Sequence, residues 1–188
     1  MTSATTRPLR ADARRNAERV RSAARETFAE YGLDAQVDDV ARRAGVGVGT
    51  VYRHFPTKEA LVEAVALGGY ESICAIARES LEEVEDPWEA FSQFMWRGAR
   101  LHRDDRAQCE LHTTRPDVVR RVAGDKRELF GLVEQLIERG QKAGVIRADL
   151  AAADMPMIWS SLGAAQQHAA GDAWERYLEV VLDGLRAR

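Results

Sequence analysis

The sequence predicts an all-α chain. Apolar residues recur at steps of three and four through most of the 188 residues. No alternating apolar–polar run lasts more than a few residues, and no internal repeat occurs. Glycine and proline punctuate the periodic stretches where helices would end. About nine helices are expected on this pattern.

Residues 1–12 are polar, contain Pro8 and lack periodicity, so an irregular basic arm is expected there. Ala13, Ala17, Val20, Ala24, Phe28 and Tyr31 then form one helical stripe, closed by Gly32. Val37 to Ala44 reads as a short helix stopped by Gly45, and about Val48 to His54 as another stopped by Pro56. Thr57 can cap a longer helix from about Lys58 to Leu81. Glu82 to Asp86 is a charged break. Asp86-Pro87-Trp88-Glu89 joins a capping residue, a proline at the first helical position and an acid three residues after the cap, so a fifth helix starts there. Residues 104–124 show little periodicity, and Pro116 suggests a short helix beginning at that point. Leu129, Leu132, Val133, Leu136, Ile137 and Gly140 form a stripe ended by Gly144. An eighth helix is expected within Ala151 to His168, and Gly171-Asp172 breaks it. The ninth carries Trp174, Tyr177, Leu178, Val181, Leu182 and Leu185.

The segment from 34 to 65 is the most informative. A short amphipathic helix, a tight turn at Gly45 and a second short helix bearing Thr50, Tyr52, Arg53 and His54 have the layout of a helix-turn-helix. Ala44-Gly45-Val46, Gly49-Thr50-Val51-Tyr52-Arg53-His54-Phe55 and Thr57-Lys58-Glu59 resemble the DNA-binding domain of the TetR family of bacterial transcriptional regulators. The resemblance runs from about Ala13 to Val65. Beyond it, the chain is similar to the family only in length and helical character. Gln36 stands where the family usually has Thr or Ser as a cap, and Gly47 where it usually has Ser; both weaken local capping. The resemblance implies a helix-turn-helix domain over residues 13–56 and a helical ligand-binding and dimerisation domain over 57–188.

Net charge is −3, and its distribution is uneven. Residues 1–60 hold 11 Lys and Arg against 8 Asp and Glu, while the rest hold 16 against 22. An Arg-rich end on an acidic body suits phosphate contact from one end. Arg7, Arg10, Arg14 and Arg15 could reach a minor groove or flanking phosphates, or form a solvated tail. No apolar run is expected to approach the length of a membrane span, and the N-terminus lacks the apolar stretch of a signal peptide. A soluble cytoplasmic protein with idle thiols at Cys74 and Cys109 is expected.

The resemblance places Tyr52, Lys58 and His54 at phosphates. Lys58 would sit in the first turn of a helix, where a cation opposes the dipole unless an external anion compensates. Thr50 and Arg53 point into the same groove, and a guanidinium can pair bidentately with guanine. Val48 suits a thymine methyl, and Gly47 and Gly49 allow close approach of the backbone to phosphate. Phe55 is expected in the core. Trp88, Phe91, Phe94, Met95, His102 and Trp159 are candidates to line an apolar ligand pocket, although such stripes are more often core. Trp159, Gly163, Tyr177, Leu178, Val181, Leu182 and Leu185 are candidates for a dimer seam, beside the small residues Ser160, Ser161, Ala164 and Ala165. His102, Cys109 and His112 near Asp104, Asp105 and Glu110 match no zinc spacing, so no metal and no cofactor is expected. No phosphate-binding Gly loop or nucleophile elbow supports catalysis.

The expected protein is a homodimeric repressor that binds palindromic operator DNA, leaves it on binding a small apolar effector, and has no membrane partner. The alternative is a helical carrier protein without DNA-linked function.

Overall fold

The computed structural model describes residues 6–124, 127–168 and 171–187. Among them are ten α-helices: α1 Thr6–Tyr31, α2 Val37–Ala44, α3 Val48–His54, α4 Lys58–Glu83, α5 Pro87–Asp104, α6 Arg106–Thr114, α7 Pro116–Gly124, α8 Glu128–Lys142, α9 Met155–His168 and α10 Ala173–Leu185. A 3₁₀ turn, Ala152–Asp154, precedes α9. The only extended pairing among the described residues is an isolated bridge between Ile146 and Arg186.

Two features depart from expectation. The helix α1 reaches back to Thr6, so the irregular arm expected over 1–12 is helical from that residue. Pro8 falls in the first turn, where its missing N–H would be unpaired anyway. Residues 1–5, and the side chains of Arg7 and Arg10, lie outside those described. The second departure is α6. It escaped periodicity because only Ala107 and Leu111 supply buried apolar contacts, one turn apart.

The chain forms two compact units: Met1–Gly69 with Arg106–Val122, and Tyr70–Asp105 with Ala123–Arg188. In the first, Val20, Ala24 and Phe28 of α1 pack with Val40 and Ala41 of α2, Val51 of α3, Leu61 and Val65 of α4, and Leu111 of α6. Tyr31 does not complete the α1 stripe; it is 61% exposed. Thr27 is buried instead, with its hydroxyl donating to Ala23 O at 2.7 Å. In the second unit, Phe91, Phe94 and Met95 of α5 pack with Leu136 of α8, Leu162 of α9, and Trp174 and Leu178 of α10.

Local chemistry explains the helix ends. Asp86 Oδ1 accepts from Glu89 N at 2.8 Å and Pro87 opens α5, as its start signal requires. Thr57 Oγ1 accepts from Ala60 N at 3.1 Å at the start of α4. Arg139 of α8 donates to Leu81 O and Val84 O at 3.0 and 2.7 Å, satisfying carbonyls at the far end of α4. Against the expectation that no apolar run approaches a span, α4 is by length and composition apolar enough to cross a membrane. Its apolar character is that of a core helix: Leu61, Val62, Val65, Ala66, Cys74 and Ala77 are all buried.

Candidate DNA interface

A tight turn joins α2 to α3. Gly45 closes α2 in the left-handed region at φ 65°, and Val46 N donates to Ala41 O at 3.0 Å. Arg19 of α1 donates to Ala44 O at 2.7 Å, capping a carbonyl that the helix end leaves open. Arg43 pairs with Glu30, tying α2 to α1 a second time. Neither short helix has a side-chain N-cap bond, at Gln36 or at Gly47. Gln36→Ser is therefore expected to raise unfolding stability by about 0.5–1 kcal/mol, read by urea titration with far-UV circular dichroism. An unchanged midpoint would show that the missing cap costs nothing.

The helix α3 has an inner and an outer side. Val51 is fully buried, and Val48 and Phe55 pack half-buried against the same core. Gly49, Tyr52 and Arg53 are exposed, Tyr52 by 46%. Thr50, His54 and Lys58 are half-buried. Val48 thus shares itself between core and surface, which reduces what it can offer a base. Tyr52, Arg53 and Lys58 have no side-chain hydrogen bond or ion pair among the described residues. Their neighbours Arg42, Arg43, Arg115 and Arg121 are engaged by Asp39, Glu30, Glu59 and Glu63. The unit that holds α3 has 15 Lys and Arg against 11 Asp and Glu, the other unit 12 against 19. The basic excess lies in the unit that holds α3, which suits phosphate contact from that unit.

Gly47 and Gly49 are informative. Neither has a positive φ, and a Cβ at either would meet no atom within 4 Å. Nothing among the described residues asks for glycine at these positions.

In the second unit, the pocket candidates separate. Phe91, Phe94 and Met95 are fully enclosed in the core. Trp159 packs edge-on against Phe94 at 5.9 Å between centroids, and its ring fills the space that a side chain at Gly98 would need. His102 Nδ1 lies 2.9 Å from Gln166 Oε1, and Gln166 Nε2 donates to Ala99 O at 2.8 Å. The carboxamide nitrogen is committed to Ala99, so its oxygen accepts from a protonated His102 Nδ1. Trp88 belongs elsewhere. It lines a cleft of about 270 Å³ with Ser92, Trp96, Arg176 and Arg186, and the Arg186 guanidinium lies 3.9 Å over its ring. Hence Phe94, Trp159 and His102 come together along α5 and α9, while Trp88 does not join them.

The dimer-seam candidates divide by their burial in the single chain. Leu178 is fully buried, and Leu182 and Leu185 are 5% and 8% exposed, inside their own unit. On α10 these leucines face inward, into the core the helix shares with α5, α8 and α9. The outward residues are Tyr177, Val180 (53% exposed) and, on α9, Met157 (76% exposed). Val181 and Gly163 are half-buried. Tyr177 donates to Ser161 Oγ at 2.9 Å, linking the outer sides of the two helices. Cys74 is buried and Cys109 half-buried, and no group of three metal-ligating side chains occurs among the described residues.

Three residues whose partners periodicity does not reveal, Gln108 and Glu110 of α6 and Arg115 just past its C-terminal end, reach α4 and the turn after α1. Gln108 Nε2 donates to Val65 O at 2.6 Å, Glu110 Oε1 accepts from Leu33 N at 3.1 Å, and Arg115 pairs with Glu59. Only the charge of Glu110 and Arg115 hinted at a partner, and it did not say where.

The family of bacterial regulatory proteins named tetR matches residues 20–65, and the C-terminal domain of SbtR-like transcriptional regulators matches residues 86–187. The HTH-type transcriptional repressor Rv1474c of Mycobacterium tuberculosis is 32% identical over 168 residues, covering 88% of this chain and 77% of that one. The crystal structure of a TetR transcription regulatory protein from Mycobacterium vanbaalenii is 39% identical, covers 96% of this chain and 100% of its own, and superimposes with a TM-score of 0.72. The structure of RolR in complex with resorcinol shares the fold at 23% identity, with 94% and 90% coverage and a TM-score of 0.66.

Proposed function

The chain belongs to the TetR family of DNA-binding transcriptional regulators, and from that premise we propose that it is a homodimeric repressor released from a palindromic operator by a small, largely apolar ligand. The family is one of regulators, not enzymes, and operator DNA and small-molecule effectors are its general partners. A cytoplasmic location follows from the proposed operator.

One observation carries the reading: Val51 anchors α3 while Gly49, Tyr52 and Arg53 stand exposed on its outer side, Tyr52 and Arg53 without side-chain partners among the described residues. With α3 in the major groove, Arg53 would read a base edge, and Thr50 would reach beside it. Tyr52, His54 and Lys58 would hold phosphates, and Gly49 would let a phosphate close to the backbone. Selection of duplexes from a random-sequence pool, followed by binding titrations in rising salt, tests this. An enriched palindrome whose affinity falls steeply with salt is expected. A chain that enriches nothing and ignores salt would instead be a carrier.

The outer residues of α9 and α10 would form the seam, with Met157, Ser161, Tyr177 and Val180 meeting their symmetry mates. Val180→Arg is expected to change folding stability by less than about 0.5 kcal/mol, because the side chain is exposed in the single chain. In sedimentation it should halve the mass, and operator affinity should collapse, since a palindrome needs two readers. A dimeric Val180→Arg protein would move the seam elsewhere.

The effector would act through α4, one continuous helix of 26 residues, about 39 Å long at 1.5 Å per residue. Residues 58–69 belong to the unit that carries α3, and residues 70–83 to the other. A ligand that shifts the far part would change the spacing of two recognition helices, which must sit about 34–36 Å apart. By linkage, operator must weaken ligand binding by the same factor that ligand weakens operator. Close packing accounts for the glycine pair Gly68-Gly69 in mid-helix. Gly68 faces the Arg21 guanidinium at 3.4 Å, and Gly69 makes room for Gln108.

A further inference from the structure

We infer that α6 positions the DNA-reading helices, and that Glu110 is the residue through which it does so. The inference rests on the DNA-reading role proposed for α3.

The turn between α1 and α2 sets the direction of α2, and through Gly45 that of α3. Gly32 opens this turn at φ 82°, and its N–H donates to Phe28 O at 2.9 Å. The next N–H, that of Leu33, has no helix carbonyl to reach. It donates instead to Glu110 Oε1 at 3.1 Å, from a residue 77 positions later in the chain. The Glu110 carboxylate lies close over Gly32, with its oxygens 3.4 and 3.5 Å from the place a Cβ would take. A carboxylate accepting a backbone N–H makes a charge-assisted bond, stronger than the usual amide pair. It therefore fixes the turn that launches the helix-turn-helix.

A second anchor sets where Glu110 stands. Gln108, 5% exposed, donates from Nε2 to Val65 O at 2.6 Å. Its carboxamide occupies the space above Gly69, where an added Cβ would fall 2.5 Å from Oε1. Ala107 and Leu111 hold α6 in the core, and the polar anchors fix its register along α4. At the end of α6, Arg115 pairs with Glu59, the neighbour of Lys58. Between these anchors, Leu33, Asp34, Lys58, Glu110 and Arg115 line a cleft of about 390 Å³. Glu110 and Arg115 thus span an open cleft, while Gln108 is held in the core beside Val65.

The consequence is geometric. The helix α2 has 8 residues and is about 12 Å long. A tilt of about 10° at the turn would carry α3 about 2 Å, more than a base-specific hydrogen bond tolerates. Phosphate contacts of flexible side chains survive such a shift far better.

The test uses the full-length protein and two duplexes: one enriched by the wild-type chain from a random pool, and one of scrambled sequence. Glu110→Ala is expected to weaken binding to the enriched duplex about tenfold, the scale of one charge-assisted hydrogen bond. Affinity for the scrambled duplex, and its salt slope, should stay at the wild-type value. Glu110→Gln should restore binding, because its amide oxygen can accept from Leu33 N. Gly69→Ala, which forces Gln108 off α4 without touching Glu110, should give the same split between the duplexes. Where Gly69→Ala does not fold, the contrast between alanine and glutamine at 110 decides. Wild-type affinity of Glu110→Ala for the enriched duplex, an equal loss on both duplexes, or failure of glutamine to rescue would each overturn the inference. A wild-type chain that enriches no sequence overturns the DNA-reading proposal itself, and this inference with it.

Discussion

Leu178→Glu is expected to unfold the second unit rather than to separate a dimer. Leu178 is fully buried on α10, among Phe91, Leu136 and Trp174 of the same core. Removing its side chain alone would cost about 2–5 kcal/mol through lost burial and an unfilled cavity. A carboxylate in its place finds no partner and must either ionise in an apolar site or shift its titration to stay neutral; both add to the loss. The sum rivals the whole stability of a typical domain, about 5–15 kcal/mol. Measurement is direct, because all four tryptophans, Trp88, Trp96, Trp159 and Trp174, lie in this unit. Their emission should shift to the red in buffer, and the urea transition should lose its folded baseline. The first unit has no tryptophan, so the signal reports the second alone. A folded, monomeric Leu178→Glu protein would restore the seam to the inner stripe. Val180→Arg, two residues along the same helix but turned outward, should do the opposite: keep the fold and lose the partner.

That contrast marks what the sequence can and cannot tell. Periodicity identifies an apolar stripe on α10, but it does not say against what the stripe packs. Leu178, Leu182 and Leu185 satisfy a core and a dimer seam equally well on spacing alone. Only burial within the single chain separates them. The helix-turn-helix was legible because its signals are local: Gly45 in the left-handed region, Pro56 after α3, and the Val37, Val40, Ala41, Ala44 stripe. The start of α5 was legible for the same reason, since Asp86 and Pro87 act within one turn. The helix α6 was not. Its anchors Gln108 and Glu110 are polar, and their partners Val65 and Leu33 lie 43 and 77 positions away. Polar long-range contacts leave no period to read. The aromatic cluster was half legible: Phe94 and Trp159 do meet, but Trp88 is drawn to Arg186 at the end of the chain.

At the DNA face, three substitutions should separate into three behaviours. Arg53→Ala is expected to relax discrimination at one base position by about 1–3 kcal/mol, or roughly 5- to 150-fold, and to leave binding to unrelated duplexes nearly unchanged. Arg53 is exposed and has no ion-pair partner among the described residues, so the substitution removes nothing from the free fold. Lys58→Ala should weaken all duplexes alike and reduce the salt slope by about one phosphate contact. Gly49→Ala is the sharpest of the three, because its two effects have opposite signs. Alanine is better than glycine in a helix by about 1 kcal/mol, and a Cβ at 49 meets no atom within 4 Å. The free protein should therefore become more stable, as a higher urea midpoint. If glycine is present so that a phosphate can approach the α3 backbone, the added methyl must push that phosphate away, and operator affinity should fall by about tenfold or more. Stability and affinity moving up together would mean that nothing outside the chain approaches residue 49, and α3 would then have to dock through another edge.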